Sequence, residues 1–384
     1  MSAPVIDVVI PVYRNLDLTQ QCVASVLRAD DPAMGTVIVV NDASPEPALA
    51  AYCRDLAEHA SVCLIENDDN QGFVRSVNAG LEHATARDVV ILNSDTEVPA
   101  GWLTRLASTA EKNPSAASIT PFSNNATICS YPNFCEEASL PEGLALHEID
   151  ALFAKANAGQ AIEIPTGVGF CMYLRRAAIE DVGGLDAEAF GRGYGEENDW
   201  CMRARAKGWT HLLAADVYVY HAGGASFGDD ASGLQKAAQT VLNERYPQYE
   251  QDIAAFVERD PPEEARYAVD AIRPDSHAVI ADYRKRARAE RDARYALDRA
   301  RHDQVVALDR LLQETRAAAE AESARYEAIL ASEREQTAAT EARYQQQVDD
   351  MAEGYAALEK EHQRLNGLWV VRLWKAFNRL WSRS

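Results

Sequence analysis

Between residue 5 and about residue 225 the chain repeats one pattern: a short β-branched run, a polar cluster, then a stretch with helical spacing. Such runs read as strands, and their alternation with helical segments predicts a mostly parallel sheet covered by helices. The predicted strands are residues 5–12, 36–40, 61–66, 88–92 and 116–120, with helices starting near Leu16, Glu46, Phe73 and Gly101. The first four runs end in Tyr13-Arg14-Asn15, Asn41-Asp42-Ala43-Ser44, Asn67-Asp68-Asp69-Asn70 and Asn93-Ser94-Asp95. Open α/β sheets bind ligands outside the carboxyl ends of their strands, so these clusters predict a single cleft.

A second feature stands later in the chain. The stretch from Gly191 to Arg203 places Glu196, Glu197 and Asp199 behind three glycines, and the apolar run that follows stops at His221. So much negative charge in one place is costly unless a metal, a cation or a proton transfer uses it. An acidic helix N-terminus, favoured by the helix dipole, is compatible with that use.

Composition bounds the function. The 384 residues include 47% hydrophobic ones, enough for a real core in part of the chain. A formal charge of -21 excludes nonspecific nucleic-acid binding, which needs clustered Lys and Arg, and leaves phosphate-bearing small substrates only if a cation mediates. The seven cysteines are odd in number and form no C-x-x-C pair, so neither a disulfide framework nor a zinc site is expected, and the reducing cytosol fits. The N-terminus enters Val5-Ile-Asp-Val-Val-Ile10 with no charged leader, so no signal peptide is expected. No run reaches the roughly 18 apolar residues that span a bilayer.

The last third of the chain is different. Residues 229–274, broken by Pro247, Pro261 and Pro262, read as a closing helix and linker, and after Pro274 no proline follows. Tyr344, Val348, Met351, Tyr355, Leu358, His362 and Leu365 repeat at spacings of four and three, the seam of a coiled coil that predicts a homo-oligomer. Upstream, Val305, Leu308, Leu312, Ala319, Tyr326 and Ile329 make a poorer seam, giving a helical tail over residues 275–366. In residues 367–384, helical winding puts Trp369, Val370, Leu373, Trp374, Phe377, Leu380 and Trp381 on one face and Arg372, Lys375, Arg379 and Arg383 on the other. A basic, tryptophan-rich helix of this kind reads as lying at a membrane surface; the alternative is that it packs on protein.

The motifs Val8-Val9-Ile10-Pro11-Val12-Tyr13-Arg14, Val39-Val40-Asn41-Asp42-Ala43-Ser44, Leu92-Asn93-Ser94-Asp95-Thr96 and Gly195-Glu196-Glu197-Asn198-Asp199-Trp200 stand in an order and spacing that resembles a family 2 glycosyltransferase of the GT-A fold. Asn70-Gln71-Gly72-Phe73 and Val219-Tyr220-His221 fall where that resemblance requires, and it covers roughly residues 1–228. It implies a nucleotide-sugar donor of the UDP or dTDP type and a divalent cation, Mn2+ or Mg2+, beneath the leaving diphosphate.

Residue by residue, the resemblance implies that Asp95 is the last acid of a D-x-D motif whose first position is here Asn93, so the metal would lean on Asp95, His221 and the diphosphate. Taken alone, Asn93-Ser94-Asp95 is equally a strand-ending turn. Asp42 would accept the N3–H of a pyrimidine; its alternative is the N-cap of the next helix, a job Ser44 does as well. Pro11, Tyr13 and Arg14 would wall the donor pocket with Asn70, Gly72 and Ser94. Arg75, one turn before Asn78, faces either the diphosphate or solvent. Gly167, Gly169 and Trp200 would meet the acceptor, although either glycine is equally a structural turn. Glu197 is the favoured base, with Glu196 and Asp199 as the nearest alternatives.

The implied reaction is a single in-line displacement with inversion, on a saccharide or lipid-linked saccharide acceptor. Surface-polysaccharide assembly such as O-antigen or capsule, peripheral on the inner face of the cytoplasmic membrane, is the setting the resemblance suggests. Two other classes stay open. A nucleotidyltransferase would want a Gly-rich phosphate loop where Pro11-Val-Tyr-Arg-Asn15 stands. A scaffold that binds nucleotide without catalysis is disfavoured by Asp42, Asp95 and Glu197 and slightly favoured by Asn93.

Overall fold

The computed structural model describes residues 5–84, 86–223, 231–276 and 334–367, with isolated positions at 299, 304, 308, 373–376 and 378. It divides into two units, residues 1–276 and 277–384. The first opens with β1 (Ile6–Val12), α1 (Leu16–Ala29), β2 (Met34–Asn41), α2 (Pro47–Leu56), β3 (Val62–Glu66), α3 (Phe73–His83) and β4 (Asp88–Leu92). It continues through β5 (Thr96–Glu97), α4 (Trp102–Lys112), β6 (Ala116–Phe122), α5 (Leu146–Ala156), β7 (Ala161–Ile164), β8 (Cys171–Leu174), α6 (Arg176–Val182), α7 (Ala187–Phe190), α8 (Glu196–Ala206), β9 (Thr210–Tyr218) and β10 (Tyr220–His221). Helices α9 (Ala231–Arg245), α10 (Tyr249–Arg259) and α11 (Glu263–Ile272) complete it.

Eight strands form one sheet in the order β3-β2-β1-β4-β8-β6-β9-β7. Strands β3, β2, β1 and β4 are mutually parallel; β8 then enters antiparallel between β4 and β6, and β7 closes the far edge antiparallel to β9. Every residue of β1 is buried, as expected of a strand with neighbours on both sides and helices on both faces. Its one acid, Asp7, accepts from Thr36 N at 2.7 Å and pairs with Arg87, so the burial leaves no stranded charge. Gly80 lets α3 lie close to the sheet, because a Cβ there would meet Val9 Cγ1 at 2.4 Å.

Helix starts are fixed by remote carboxylates as much as by local caps. Glu46 accepts from Asn15 N and Leu16 N, adding its charge to the start of α1, where Asn15 itself accepts from Leu18 N. Asp31 accepts from Leu103 N and Thr104 N at the start of α4. Ser44, expected to cap α2, stands too early: it accepts from Glu46 N, and Glu46 is the N-cap before Pro47.

The expected boundary at residue 228 is corrected. Leu242, Tyr249, Phe256, Tyr267 and Val269 are buried, and Asp270 accepts from the Tyr131 hydroxyl at 2.7 Å, so residues 231–276 are packed helices of the first unit and not a linker. The prolines start helices: Pro262 is the N-cap of α11.

In the second unit, α12 (Arg334–Gly367) is a single long helix. Tyr344, Met351, Tyr355 and Leu358 of the expected seam are half-buried and Val348 is exposed. The upstream seam lies outside the described residues apart from Leu308. Of the terminal basic segment, Leu373 and Ala376 are buried, Trp374 is half-buried and Lys375 is exposed; the remaining aromatic residues lie outside the described set. Among the described residues no helix is long and apolar enough to cross a membrane.

A chain ending at 276 is therefore expected to melt as the first unit does in the full protein. A chain ending at 228 loses the apolar cover of α9 to α11 and the ion pair that Arg245, from an exposed position, makes with buried Asp199. Its circular-dichroism midpoint should fall by roughly 10 °C or more; equal midpoints for the two truncations would restore the boundary at 228.

Candidate active site

The C-terminal edges of β1, β2 and β4 open into two adjoining cavities of about 370 Å³ each. Pro11, Phe73 and Ser94 belong to both and form the wall between them. Tyr13, Asp42, Asn70, Gly72 and Arg192 line the first; Asn93, Gly169, Glu196, Glu197 and His221 line the second. The structure thus gathers most of the residues singled out from sequence. Arg14 is not among them: it is exposed, with its guanidinium 5.3 Å from the Tyr13 ring centre. Arg75 is also exposed and lines neither cavity, because its position on α3 points away from the sheet edge. Its companion Asn78 instead bonds both the N–H and the carbonyl of Leu185.

Asp42 is buried at the floor of the first cavity. Its Oδ1 accepts from Asn67 Nδ2 at 2.7 Å and Gln71 N at 2.8 Å, and its Oδ2 from Gly72 N at 2.8 Å. An ionised carboxylate has about four acceptor sites, so one remains on Oδ2 for a ligand N–H. Asp42 is neither helix cap nor free ligand group but the post that shapes the loop after β3. Gly72 has a φ of 84°, and a Cβ there would stand 2.9 Å from Arg192 Cα, so only glycine lets the loop before α8 close on the pocket.

Asp95 and His221 meet through a pairing invisible to local sequence. Strand β5 pairs antiparallel with β10, Thr96 opposite His221, and Asn124 grips the same strand by accepting from His221 N and donating to its carbonyl. His221 Nδ1 lies 2.7 Å from the Asn125 carbonyl, so that nitrogen carries a proton and donates. Nε2 then faces Asp95 Oδ1 at 3.4 Å, too far for a good hydrogen bond, and Oδ1 is left buried without a partner. Burial pushes the imidazole's pKa down, but the Asp95 carboxylate pulls it up further and the net direction is upward. Two lone-pair groups converging in this way suit a proton or a metal ion between them. Among the described residues no cluster of three His, Cys, Asp or Glu forms a complete metal cage.

The three acids of the Gly-rich stretch have separate fates. Asp199 is fully buried and accepts from Arg203 at 2.7 Å, Arg245 at 2.8 Å and the Tyr246 hydroxyl at 2.9 Å. It lines neither cavity and is neutralised by two guanidinium groups, which corrects its candidacy as a base. Glu196 and Glu197, in the first turn of α8, share a hydrogen bond and each keeps a buried oxygen, Oε2, without a partner. Burial raises both above the ordinary glutamate range, and the charge of Glu197 raises Glu196 further. Glu196 therefore holds the proton and donates it to Glu197, which is the more exposed of the two and the one able to act as a base.

Two acceptor candidates are corrected as well. Trp200, one turn deeper in α8, is fully buried with Nε1 bonded to the Gly183 carbonyl at 2.8 Å, so it is core. Gly167 faces inward, where a Cβ would meet Met172 Cε at 2.8 Å, and its N–H donates to Cys201 Sγ. Gly169 does line the second cavity, with a Cβ position 3.7 Å from Glu197 Cδ. Sequence reasoning missed Arg192, Leu234 and Gln235 as lining residues. Arg192 sits inside the Gly-rich stretch and was findable as its only early cation, whereas nothing local marks Leu234 or Gln235.

A carboxyl held above its unfolded pKa binds its proton more tightly in the native state, so it costs no stability below the ordinary value of 4.5 and progressively more as pH rises. Glu196→Gln, which cannot ionise, should melt at a higher temperature than the natural protein near pH 8 and at the same temperature near pH 4. A shift that is independent of pH would remove the strained acid pair from the site.

The Glycosyl transferase family 2 model matches residues 7–183. A relative, the glycosyltransferase AglE of Haloferax volcanii, is 22% identical over 221 residues, spanning 57% of this chain and 67% of its own length. Among solved structures, GalNAc-T7 with UDP, GalNAc and Mn2+ superposes with a TM-score of 0.49 at 15% identity, over 68% of this chain and 52% of that one. The mannosyltransferase PcManGT of Pyrobaculum calidifontis, in complex with GDP-Man and Mn2+, gives a TM-score of 0.45 at 18% identity, over 73% and 79%. The chain thus spans about half the length of the first of these structures. Its fold is an α/β domain on a largely parallel sheet, and over residues 7–183 the chain is similar to glycosyl transferase family 2.

Proposed function

We propose that this glycosyltransferase moves a sugar from a UDP- or dTDP-type donor to a saccharide or lipid-linked saccharide, with inversion at the anomeric carbon. The observation that carries the reading is the shared wall of Pro11, Phe73 and Ser94, with Asp42 on one side and Glu197, whose Oε2 has no partner, on the other. A donor seated in the first cavity would present its anomeric carbon across that wall to a hydroxyl held by Glu197. A base on one face and a leaving group on the other is the arrangement that inverts.

The Asp95 and His221 pair fits a divalent cation, on the evidence of the orphaned Asp95 oxygen facing Nε2. Mn2+ or Mg2+ held there would neutralise the leaving diphosphate, and two protein ligands suffice where phosphate oxygens and water fill the rest. The manganese of the two solved glycosyltransferases accords with this choice. Arg192, exposed at the mouth of the first cavity, adds positive charge on the donor side. Glu197 takes the acceptor proton as the new bond forms, and the proton held by Glu196 keeps the pair from carrying two charges.

The remainder of the reading concerns setting. The half-buried seam of α12 supports a homo-oligomer through a coiled coil. The basic, tryptophan-rich terminus supports contact with the inner face of the cytoplasmic membrane, where a lipid-linked acceptor of O-antigen or capsule assembly would be presented.

Two variants separate metal from base. Asp95→Ala should abolish the Mn2+ dependence of UDP or dTDP affinity by calorimetry while the melting curve stays cooperative; unchanged dependence takes Asp95 out of the site. Glu197→Gln should lower turnover by roughly 10²–10⁴-fold with donor affinity little changed. Near-normal turnover in Glu197→Gln together with a dead Glu196→Gln would exchange the roles of the two acids.

A further inference from the structure

Resting on the glycosyltransferase reading, we propose that the second cavity selects an uncharged saccharide as acceptor, with Tyr194 and Gln235 as its specificity-determining residues. The first argument is charge. Among its described lining residues the cavity has Glu196 and Glu197 but no Lys or Arg, and His221, its one further titratable cation, faces Asp95. Glu137 Oε1 stands at the rim, 3.8 Å from where a Cβ on Gly223 would be. Arg192 lines only the first cavity. With the cation proposed at Asp95 and His221 neutralised by the donor diphosphate, a uronate or phosphate brought here would meet the Glu197 carboxylate in a partly dry site, whereas a hydroxyl would donate to its partnerless Oε2.

The second argument is shape and chemistry. Tyr194 lines the cavity directly before the acidic pair and holds a φ of 69°, a conformation that a bulky residue rarely adopts and that tends to persist where function requires it. Its hydroxyl is hydrogen-bonded to Gln235 of α9. An aromatic body with a polar tip beside a neutral amide suits a sugar, whose C–H face is apolar and whose hydroxyls both donate and accept. Phe170, a buried aromatic residue that also lines the cavity, is already stacked on His221 with ring centres 5.2 Å apart. Both Tyr194 and Gln235 lie beyond the residues matched by the family model.

The test uses the full chain saturated with UDP and Mn2+, a panel of neutral methyl hexosides and the corresponding methyl uronides, read by saturation-transfer NMR and competition. At least one neutral glycoside should bind about tenfold more tightly than its uronide. Tyr194→Asn, chosen because asparagine tolerates a positive φ, should weaken that binding about tenfold and leave UDP affinity unchanged. Gln235→Lys should narrow or reverse the preference. Equal or tighter uronide binding by the natural protein, no neutral glycoside bound, or an unchanged ratio in Gln235→Lys each overturns the proposal. UDP calorimetry reads the donor cavity separately: lost UDP binding with intact glycoside selectivity would sink the glycosyltransferase reading, and the converse result would sink this proposal alone.

Discussion

The active site hangs on one buried carboxylate. Asp199 is enclosed by Arg203 of its own helix and by Arg245 and Tyr246 at the end of α9. A buried acid with these three donors is satisfied, and only the loss of both guanidinium groups would leave a charge that the interior cannot solvate. The latch therefore joins α8, whose first turn carries Glu196 and Glu197, to α9, whose first turns bring Leu234 to one cavity and Gln235 to the other. Gly195 permits the approach: with a φ of 82°, it lies where a Cβ would press within 3.0 Å of Ala238 Cβ. Holding two carboxyl groups side by side out of water is unfavourable, and the latch anchors the helix that carries them.

Strands β1 to β4 and helices α1 and α3 were legible in the sequence because each is specified locally, by β-branched runs buried on both faces and by helical spacing after a polar turn. The predicted helix starts at Leu16 and Phe73 coincide with those of the structure. The cleft was legible for the same reason, since polar clusters at strand ends have few other places to go. What local patterns cannot encode is partnership across the chain. The contact of His221 with Asp95 depends on a two-residue ribbon joining positions 96 and 221, and the insertion of β8 between β4 and β6 depends on antiparallel pairing of short strands. Trp200 was misread because adjacency to acids in sequence is not adjacency in space: the first turn of α8 meets the cleft, and the next turn is already in the core. Arg75 was misread for the reverse reason, since helical spacing fixes which residues share a face but not which face meets the ligand.

Four buried acids around the cleft differ in what balances them, and that difference separates scaffold from chemistry. Asp42 is balanced by N–H dipoles from Asn67, Gln71 and Gly72, and Asp199 by guanidinium groups; these partners are covalently part of the fold and cannot leave. Glu196 is balanced by a proton, and Asp95 by an imidazole edge at a distance too long to satisfy it. A proton can move, and a cation can enter a gap that a hydrogen bond does not fill. The exchangeable partners occur only at the second pair, where Glu196 and the imidazole that faces Asp95 line one cavity with Asn93 and Ser94, and there charge must shift if a phosphate departs while a hydroxyl loses its proton. A chain of net charge -21 would otherwise repel a diphosphate. Fixed positive partners at Asp95 would weaken its hold on any incoming cation, and a fixed partner on Glu197 would remove its basicity, so the incomplete satisfaction of these two carboxylates is what the proposed reaction would use.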